Sequence, residues 1–473
     1  MNPALLARLR KGIASEIFAN LTRVVVQVGG VPLFLAFWGG EGYGEWLLLT
    51  AILGYLRLSS VGFGQATRNR MAMEVSAGKR EKALGYFQST SLLFFVFGVV
   101  VMVGVGLAAL KASAIHSFLN FEILDITGLQ QAFILLGGVI AINLQVEVLD
   151  AGFRSEGHYG LSTFLIMLSE LVIFALVVLV LVTGGGQVMG VACYLAGSVF
   201  RFVLLRLVLK RRAPWIVFGV SQASLDTVRT FTLPSLAFMA FPLGQAMSLQ
   251  GTLIVIGAVL GPSAVVVFNT VRMLSRYTVH LTVTFARLGS PEIAYAYGRG
   301  DMTLVRQVHW QVCRIGIWAA LVACGMLALL TPWILAVWTQ SQIMPWPGVY
   351  LTLLAAVLVW AAHTLAANVL QATNNHQRFA LFFLAASVIG LGLAVPLTQH
   401  ISLPGAALAS LLVELAVLFY VLPRAARFGG GSVGAFLRQI AMPPSPMMLR
   451  YLRVDPAGQE RAGSPSSEAD AKA

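Results

Sequence analysis

The chain has 473 residues, of which 58% are hydrophobic and only 11% charged, and its mean hydropathy is +0.81. A soluble protein carries about 25% charged residues because water has to solvate its surface. The composition therefore excludes a soluble globular protein. It predicts an all-α integral membrane protein, because long apolar helices satisfy their own backbone in lipid.

Twelve apolar runs are long enough to cross a bilayer, for which a helix needs roughly 20 residues. They lie near residues 16–38, 44–63, 85–110, 129–150, 161–183, 187–209, 231–257, 262–284, 308–331, 347–371, 378–398 and 404–422. We expect two parallel six-helix lobes, residues 1–209 and 231–422, around a central site. Residues 210–230 would form a cytoplasmic linker, and residues 423–473 a cytoplasmic tail, largely disordered at its end.

The orientation follows from the basic residues, which remain on the cytoplasmic side of short loops. With both termini in the cytoplasm, the arginines and lysines of the loops lie on that side, and Lys111 is the exception. The net charge of +13 is then explained by contact with anionic membrane lipids. Nucleic acid is not expected as a partner.

The sequence gives no sign of a metal site, a cofactor or a catalytic centre. Cys193, Cys313 and Cys324 lie inside apolar runs, and no two histidines have the spacing of metal ligands. His363, within the tenth run, has no obvious partner. The predicted outer loops are short, which disfavours a membrane enzyme. We therefore expect a protein that is not an enzyme.

Polar residues recur on one face of two of the runs. The first run carries Glu16, Asn20, Arg23 and Gln27, the eighth carries Asn269, Arg272, Arg276 and His280, and the second contributes Arg57. Spacings of three and four residues place each set on one helix face. A central arginine facing lipid costs about 2.5–3.5 kcal/mol, so these residues predict a water-filled cavity.

Several arginines around one cavity favour a phosphate or pyrophosphate ligand, because guanidinium pairs with phosphate oxygens and stays charged. We therefore predict substrate binding by Arg23, Arg57, Arg272 and Arg276, with Asn20, Gln27 and Asn269 beside them. Two alternatives remain open. Arg57 and Arg276 could extend to the interface. Arg23 and Arg272 could also extend there or be held in structural pairs.

Four acidic residues within the runs are candidates for binding a coupling ion: Glu147, Asp150, Glu170 and Glu414. Carboxylates inside a membrane domain often carry protons or cations. The alternative for Glu147 and Asp150 is pairing with arginines near the cytoplasmic end. For Glu170 and Glu414 the alternative is an interhelical hydrogen bond.

Three segments resemble a known family: Tyr43 to Trp46 (YGEW), Leu58 to Asn69 (LSSVGFGQATRN) and Ala77 to Ala83 (AGKREKA). They are similar to bacterial polysaccharide exporters of the O-antigen flippase type. These belong to the multidrug/oligosaccharidyl-lipid/polysaccharide (MOP) flippase superfamily, with multidrug extruders and the lipid II flippase. An acidic residue common after the Leu-Ser-Ser turn is replaced here by Ser60, which leaves ion coupling open.

The resemblance implies a monomeric transporter of the bacterial inner membrane that moves undecaprenyl-pyrophosphate-linked oligosaccharide for surface polysaccharide biosynthesis. It also implies cavity arginines on the first, second and eighth helices, where Arg23, Arg57 and Arg272 stand. Membrane lipids, and a polysaccharide polymerase or export machinery, are the implied partners. The alternative function is a multidrug extruder of the same fold, although that class favours acidic cavity walls.

Overall fold

The structure, a computed structural model, describes residues 3–344, 346–373, 377–428 and 432–443. Within these ranges the side chains of residues 3–13, 16, 52–62, 230–238, 281, 287–288, 291–292 and 294–295 lie outside the description. The predicted disorder at the end of the tail falls on residues 444–473, which are also outside the described residues.

The described regular structure is helical. In chain order the helices are α1 (Pro3–Ser76), α2 (Arg80–Leu110), α3 (Ala112–Phe118), α4 (Ile126–Ser155), α5 (Tyr159–Val182), α6 (Gln187–Arg212), α7 (Leu225–Ala246), a π-helical turn (Met247–Gly251), α8 (Thr252–Leu260), α9 (Pro262–Ser275), α10 (Tyr277–Gly298), α11 (Met302–Trp338), α12 (Pro347–Ala372), α13 (Gln377–Phe428) and α14 (Val433–Ala441). The prediction of an all-α, multi-pass membrane protein is confirmed.

Two of these helices are broken in the middle. Gly39 in α1 has φ 67°, a left-handed conformation that glycine adopts without steric penalty. In α13 the break lies at Ile401 and Ser402, where Ser402 has φ 58°. Each broken helix therefore contains two of the twelve predicted runs.

Nine helical stretches of the described chain are long and apolar enough to cross a membrane. Two of them, residues 17–51 and 377–428, include the breaks just described. The predicted eighth run is missing from the nine, because the helix ends at Ser275 and resumes at Tyr277 around Arg276. In the region of the predicted linker, α6 continues to Arg212 and α7 begins at Leu225.

The first half of the chain, α1 to α6, and the second half, α7 to α13, each pack mainly within themselves, and α1 makes most of the contacts between them. The outward surface is apolar: on α2, for example, Phe95, Val99, Val103 and Leu110 are exposed. Exposed apolar side chains along a helix of this length fit contact with lipid rather than water.

Glu45 lies just after the break in α1, on the predicted outer side, and fastens the connection between α3 and α4. Its side chain is fully buried. Its two carboxylate oxygens accept hydrogen bonds from the backbone N–H groups of Glu122 and Ile123, each at 2.7 Å, and of Leu124 at 2.9 Å. Because a carboxylate is an acceptor only, it suits a loop that presents three N–H donors.

The same end of the bundle is packed shut between the halves. A Cβ on Gly44 would lie 2.1 Å from the carbonyl oxygen of Pro262, so the backbones are in direct contact there. Around this contact, Ser263 donates a hydrogen bond to Glu41, and Asn120 donates to the carbonyl of Ala258 at 3.0 Å. The end that the topology predicts to face outward is therefore closed.

Replacing Glu45 with Ala should destabilise the first half. Three N–H groups, that of Leu124 buried and two part-buried, lose their acceptor, and each buried unsatisfied group costs about 1–3 kcal/mol. We expect the free energy of unfolding to fall by about 3 kcal/mol or more, measured as a lower thermal midpoint in detergent. Glu122→Ala, an exposed carboxylate in the same loop, is the control. Equal midpoints for the two variants would show that Glu45 does not hold the loop.

Replacing Gly44 with Val should separate the halves at the closed end. The new side chain meets backbone, which cannot turn aside as a side chain can. In a chain with alanine at its three native cysteines, Ser263→Cys should react at least fivefold faster with a membrane-impermeant maleimide when Gly44→Val is present. Gly104→Val, where a Cβ meets nothing within 4 Å, is the control and should leave the rate unchanged. A rate that Gly44→Val does not alter contradicts the prediction.

Candidate substrate cavity between the two halves

A cavity of about 330 Å³ lies between the halves of the chain. The first half contributes residues of α1, α4, α5 and α6, and the second half contributes the π-helical turn, α8 and α9. Its lining residues are Leu47, Thr50, Val139, Asn143, Glu170, Ile173, Tyr194, Ser198, Arg201, Gln250, Leu253, Asn269 and Arg272. Two arginines, one glutamate and several neutral polar groups therefore face one space.

Arg272 is the cation that the second half brings to this cavity. It is 9% exposed, and its guanidinium donates to the carbonyl of Leu249 at 2.7 Å and to Asn269 Oδ1 at 3.1 Å. Leu249 belongs to the π-helical turn, a distortion that often marks functional positions. None of the ion pairs in the described part of the chain includes Arg272. Both of these hydrogen-bond acceptors of Arg272 are neutral.

Arg276 stands one helical turn further along, at the break between α9 and α10. It is half-buried and interacts electrostatically with Glu414 of α13. Glu414 Oε2 also lies 2.6 Å from Nε2 of His363 in α12. The Nδ1 atom of His363 is buried and has no hydrogen-bond partner within the described residues. α12 and the part of α13 after its break thus hold an ionisable pair beside Arg276.

The first half holds a second polar cluster, centred on Arg201 of α6. The guanidinium forms an ion pair with Glu170 of α5. It also donates to Ser169 Oγ at 2.8 Å and to Asn143 Oδ1 at 3.2 Å. Asn143 is oriented in turn by Ser198, to which its amide donates at 3.1 Å. These contacts join α4, α5 and α6 at one level of the bundle.

The four remaining predicted binding residues all lie on α1. Asn20, Arg23 and Gln27 are exposed, and Arg23 donates to Asn20 Oδ1 at 2.7 Å. They do not line the 330 Å³ cavity. Arg57 lies on the helical backbone of α1, but its side chain is outside the described residues. Of the predicted binding residues, Asn269 and Arg272 meet at the cavity.

Glu147 and Asp150 belong to a different network, near the predicted cytoplasmic end. Arg68 lies 2.7 Å from Glu147 and 3.2 Å from Asp150. Asp150 also accepts from Arg154 at 2.7 Å and from Ser162 at 2.5 Å. The pairing with arginines, left open by the sequence, is what the structure contains. These two carboxylates are already balanced by two guanidinium groups.

Sequence reasoning missed Arg201 and the partner of His363. Arg201 lies in the sixth apolar run, which also contains Arg206. The signal that could have found it is an arginine near the middle of that run, together with the isolated Glu170 of the run before it. The partner of His363 lies 51 residues away in Glu414. Within the described residues no group of His, Cys, Asp and Glu side chains could hold a metal ion.

No family model matches the chain. It is 23% identical over 470 residues to the uncharacterized membrane protein EpsK of Bacillus subtilis (strain 168), covering 93% of this chain and 87% of that protein.

Two solved structures share the architecture. An inward-facing multidrug resistance MATE family transporter of the MOP superfamily superposes with a TM-score of 0.71 at 14% identity, over 88% of this chain and 95% of that one. The lipid II flippase MurJ in an inward closed conformation superposes with a TM-score of 0.69 at 12% identity, over 96% of this chain and 94% of that one. The chain therefore has the fold that these two proteins share.

Proposed function

We propose that this protein is a flippase that moves undecaprenyl-pyrophosphate-linked oligosaccharide across the bacterial inner membrane by alternating access. The observation that carries the proposal is Arg272. It is a buried guanidinium with neutral hydrogen-bond partners, and it faces a cavity between the halves of a transporter fold. A buried cation without a paired carboxylate is costly, and an anionic substrate offsets that cost when it binds.

The proposed topology has twelve spans in two six-helix lobes, with both termini in the cytoplasm. Division of α1 and α13 at their breaks, together with α9 and α10 as a single interrupted span, supports this number. The distribution of loop arginines and lysines supports the orientation. With the outer end packed shut at Gly44 and Pro262, the substrate would enter from the cytoplasmic side.

The pyrophosphate is the part of the substrate that this cavity suits. Arg272 offers charge-assisted hydrogen bonds, and Asn269 beside it offers an amide group. The oligosaccharide and the isoprenoid chain are far larger than 330 Å³, so they would extend towards the cytoplasm and the lipid. Arg23 on the exposed face of α1 would then contact the substrate outside this cavity. A polymerase or export machinery would take up the product.

A multidrug extruder is the second candidate, and Glu170 favours it. Its side chain is 30% exposed and lines the cavity, and a carboxylate attracts the cationic drugs that such extruders carry. The formal charge of the cavity opposes this candidate, since Arg201 and Arg272 outnumber the single glutamate.

Replacing Arg272 with Gln should impair export in a deletion strain of the native host complemented with the variant. Loss of a charged hydrogen-bond donor costs about 1.5–3 kcal/mol of binding. We expect surface polysaccharide to fall at least tenfold, and lipid-linked oligosaccharide to accumulate on the cytoplasmic face, at matched protein levels. Arg424→Gln is the control, because Arg424 stacks on Tyr420 at an exposed position.

Normal surface polysaccharide in the deletion strain itself, with increased sensitivity to cationic drugs, would replace the flippase with the multidrug extruder. Normal export by Arg272→Gln, against a deletion strain that fails to export, would remove the role of Arg272.

We further propose that Glu414, paired with His363, binds the coupling ion. The carboxylate of this residue lies 2.6 Å from Nε2 of His363 and attracts the guanidinium of Arg276 electrostatically. Glu147 and Asp150 are less suited, because Arg68 and Arg154 already balance them.

In proteoliposomes, an imposed proton or sodium gradient should accelerate flipping of a fluorescent isoprenoid-pyrophosphate-linked sugar by the wild type. In Glu414→Gln the acceleration by the gradient should be at least fivefold smaller than in wild type, because the amide keeps the shape but does not titrate. The rate of flipping without a gradient should be retained. Glu81→Gln, at an exposed carboxylate in the first turn of α2, is the control. Full acceleration in Glu414→Gln would place coupling elsewhere.

A further inference from the structure

The ion pair of Glu170 and Arg201 differs in exposure between its two members. The side chain of Arg201 is 7% exposed, whereas that of Glu170 is 30% exposed. Both line the cavity between the halves. The carboxylate is therefore the member that is free to turn into open space, and the guanidinium is the member that is fixed.

Arg201 is held in place without Glu170. Its Nε atom donates to Ser169 at 2.8 Å, and one of its terminal nitrogens donates to Asn143 at 3.2 Å. The other terminal nitrogen donates to Glu170. Ser169 and Asn143 are neutral, so they orient the guanidinium but leave its charge uncompensated. Glu170 supplies the compensating charge.

The second half faces this pair with a cation of its own. Arg272 lines the same cavity and forms none of the ion pairs seen in the described residues. The carboxylate of Glu170 is thus the one formal negative charge among the cavity-lining residues, against two guanidinium groups. Guanidinium groups approaching from two sides are a suitable arrangement for the several oxygens of a phosphate or diphosphate.

We infer that Arg201 and Arg272 together bind an anionic phosphate or diphosphate group, and that Glu170 is an internal counter-anion that occupies Arg201 while the cavity is empty. The inference deepens the proposed function and rests on it. On binding, a phosphate oxygen takes the place of the carboxylate on Arg201. Glu170 turns into the cavity opening, where its charge is solvated.

An internal counter-anion solves a problem specific to transporters. A flippase has to return empty, and an uncompensated arginine in a low-dielectric interior is costly. Glu170 lowers this cost in the empty state for Arg201. Because it competes with the substrate for the same guanidinium, it also weakens binding, which allows release on the far side.

The test uses the purified full-length protein and inorganic pyrophosphate, with binding measured by isothermal titration calorimetry and by the rise in thermal midpoint. Glu170→Gln keeps the shape and the hydrogen bond but removes the competing charge, and should bind pyrophosphate about tenfold more tightly than wild type. Combining it with Arg201→Gln replaces the ion pair by two neutral amides. This double variant should lose the gain and bind at least tenfold more weakly than Glu170→Gln.

Glu156→Gln is the matched control. Glu156 is also a carboxylate paired with an arginine, Arg80 at 3.8 Å, but it is not among the residues that line the cavity. Its affinity for pyrophosphate should equal that of wild type. Pyrophosphate affinity in Glu170→Gln no higher than in wild type, or equal affinity in the double variant and in Glu170→Gln, would overturn the inference.

Arg272→Gln distinguishes this inference from the proposed function. Loss of pyrophosphate binding in Arg272→Gln, with no effect of the Glu170 and Arg201 substitutions, would leave the proposed function standing and remove the counter-anion. The affinity for farnesyl pyrophosphate, compared with that for inorganic pyrophosphate, tests whether the bound phosphate group is linked to a lipid. Binding tighter than that of inorganic pyrophosphate, with the same order of variants, supports a lipid-linked group. Weaker binding would overturn a lipid-linked source.

Discussion

Charged groups that enter an apolar helix bundle must be satisfied by the protein itself, because lipid provides neither hydrogen bonds nor solvation. Glu45 meets this constraint with three backbone N–H groups, and Asp150 meets it with two arginines and a serine. The partners of Glu45 lie in the loop between α3 and α4, and those of Asp150 lie on α1, α4 and α5. The same requirement that satisfies a charge therefore also fixes the positions of the elements that supply its partners.

The two halves meet the constraint differently at the cavity. In the first half, Arg201 is balanced by Glu170 and held by Ser169 and Asn143. In the second half, Arg272 has a backbone carbonyl and an amide oxygen, which satisfy its hydrogens but not its charge. On one wall of the cavity the charge of the arginine is balanced by a carboxylate, and on the other wall it is not. An anion entering it gains most at Arg272 and has to displace a carboxylate to reach Arg201.

The sequence was sufficient for the class of fold and for one wall of the site. Apolar runs and loop charges predicted an all-α membrane protein, and the stripe containing Asn269 and Arg272 predicted two residues that do line the cavity. The breaks at Gly39 and Ser402 fall in the gaps between predicted runs, 39–43 and 399–403, but the sequence did not show that helical structure continues directly on both sides of each break.

The other wall could not be predicted from one stretch of sequence. Arg201 lies in an apolar run beside Arg206, and its partners come from α4 and α5. In the same way, the partner of His363 lies on the next helix, 51 residues away. Periodicity locates residues that share one helix face. It carries no information about which faces of different helices meet, and both missed pairs form between helices.

The geometry of α9 links the cavity to the ionisable pair in the second half. Arg272 and Arg276 are four residues apart, roughly 6 Å along a helix axis, and their charges repel. Glu414 attracts Arg276, so a change of charge at Glu414 or His363 alters how far the field of Arg276 is neutralised. An anion at Arg272 experiences that field as well. With Arg272 and Glu414 in their proposed roles, anion binding in the cavity and ion binding at Glu414 are coupled through two adjacent guanidinium groups.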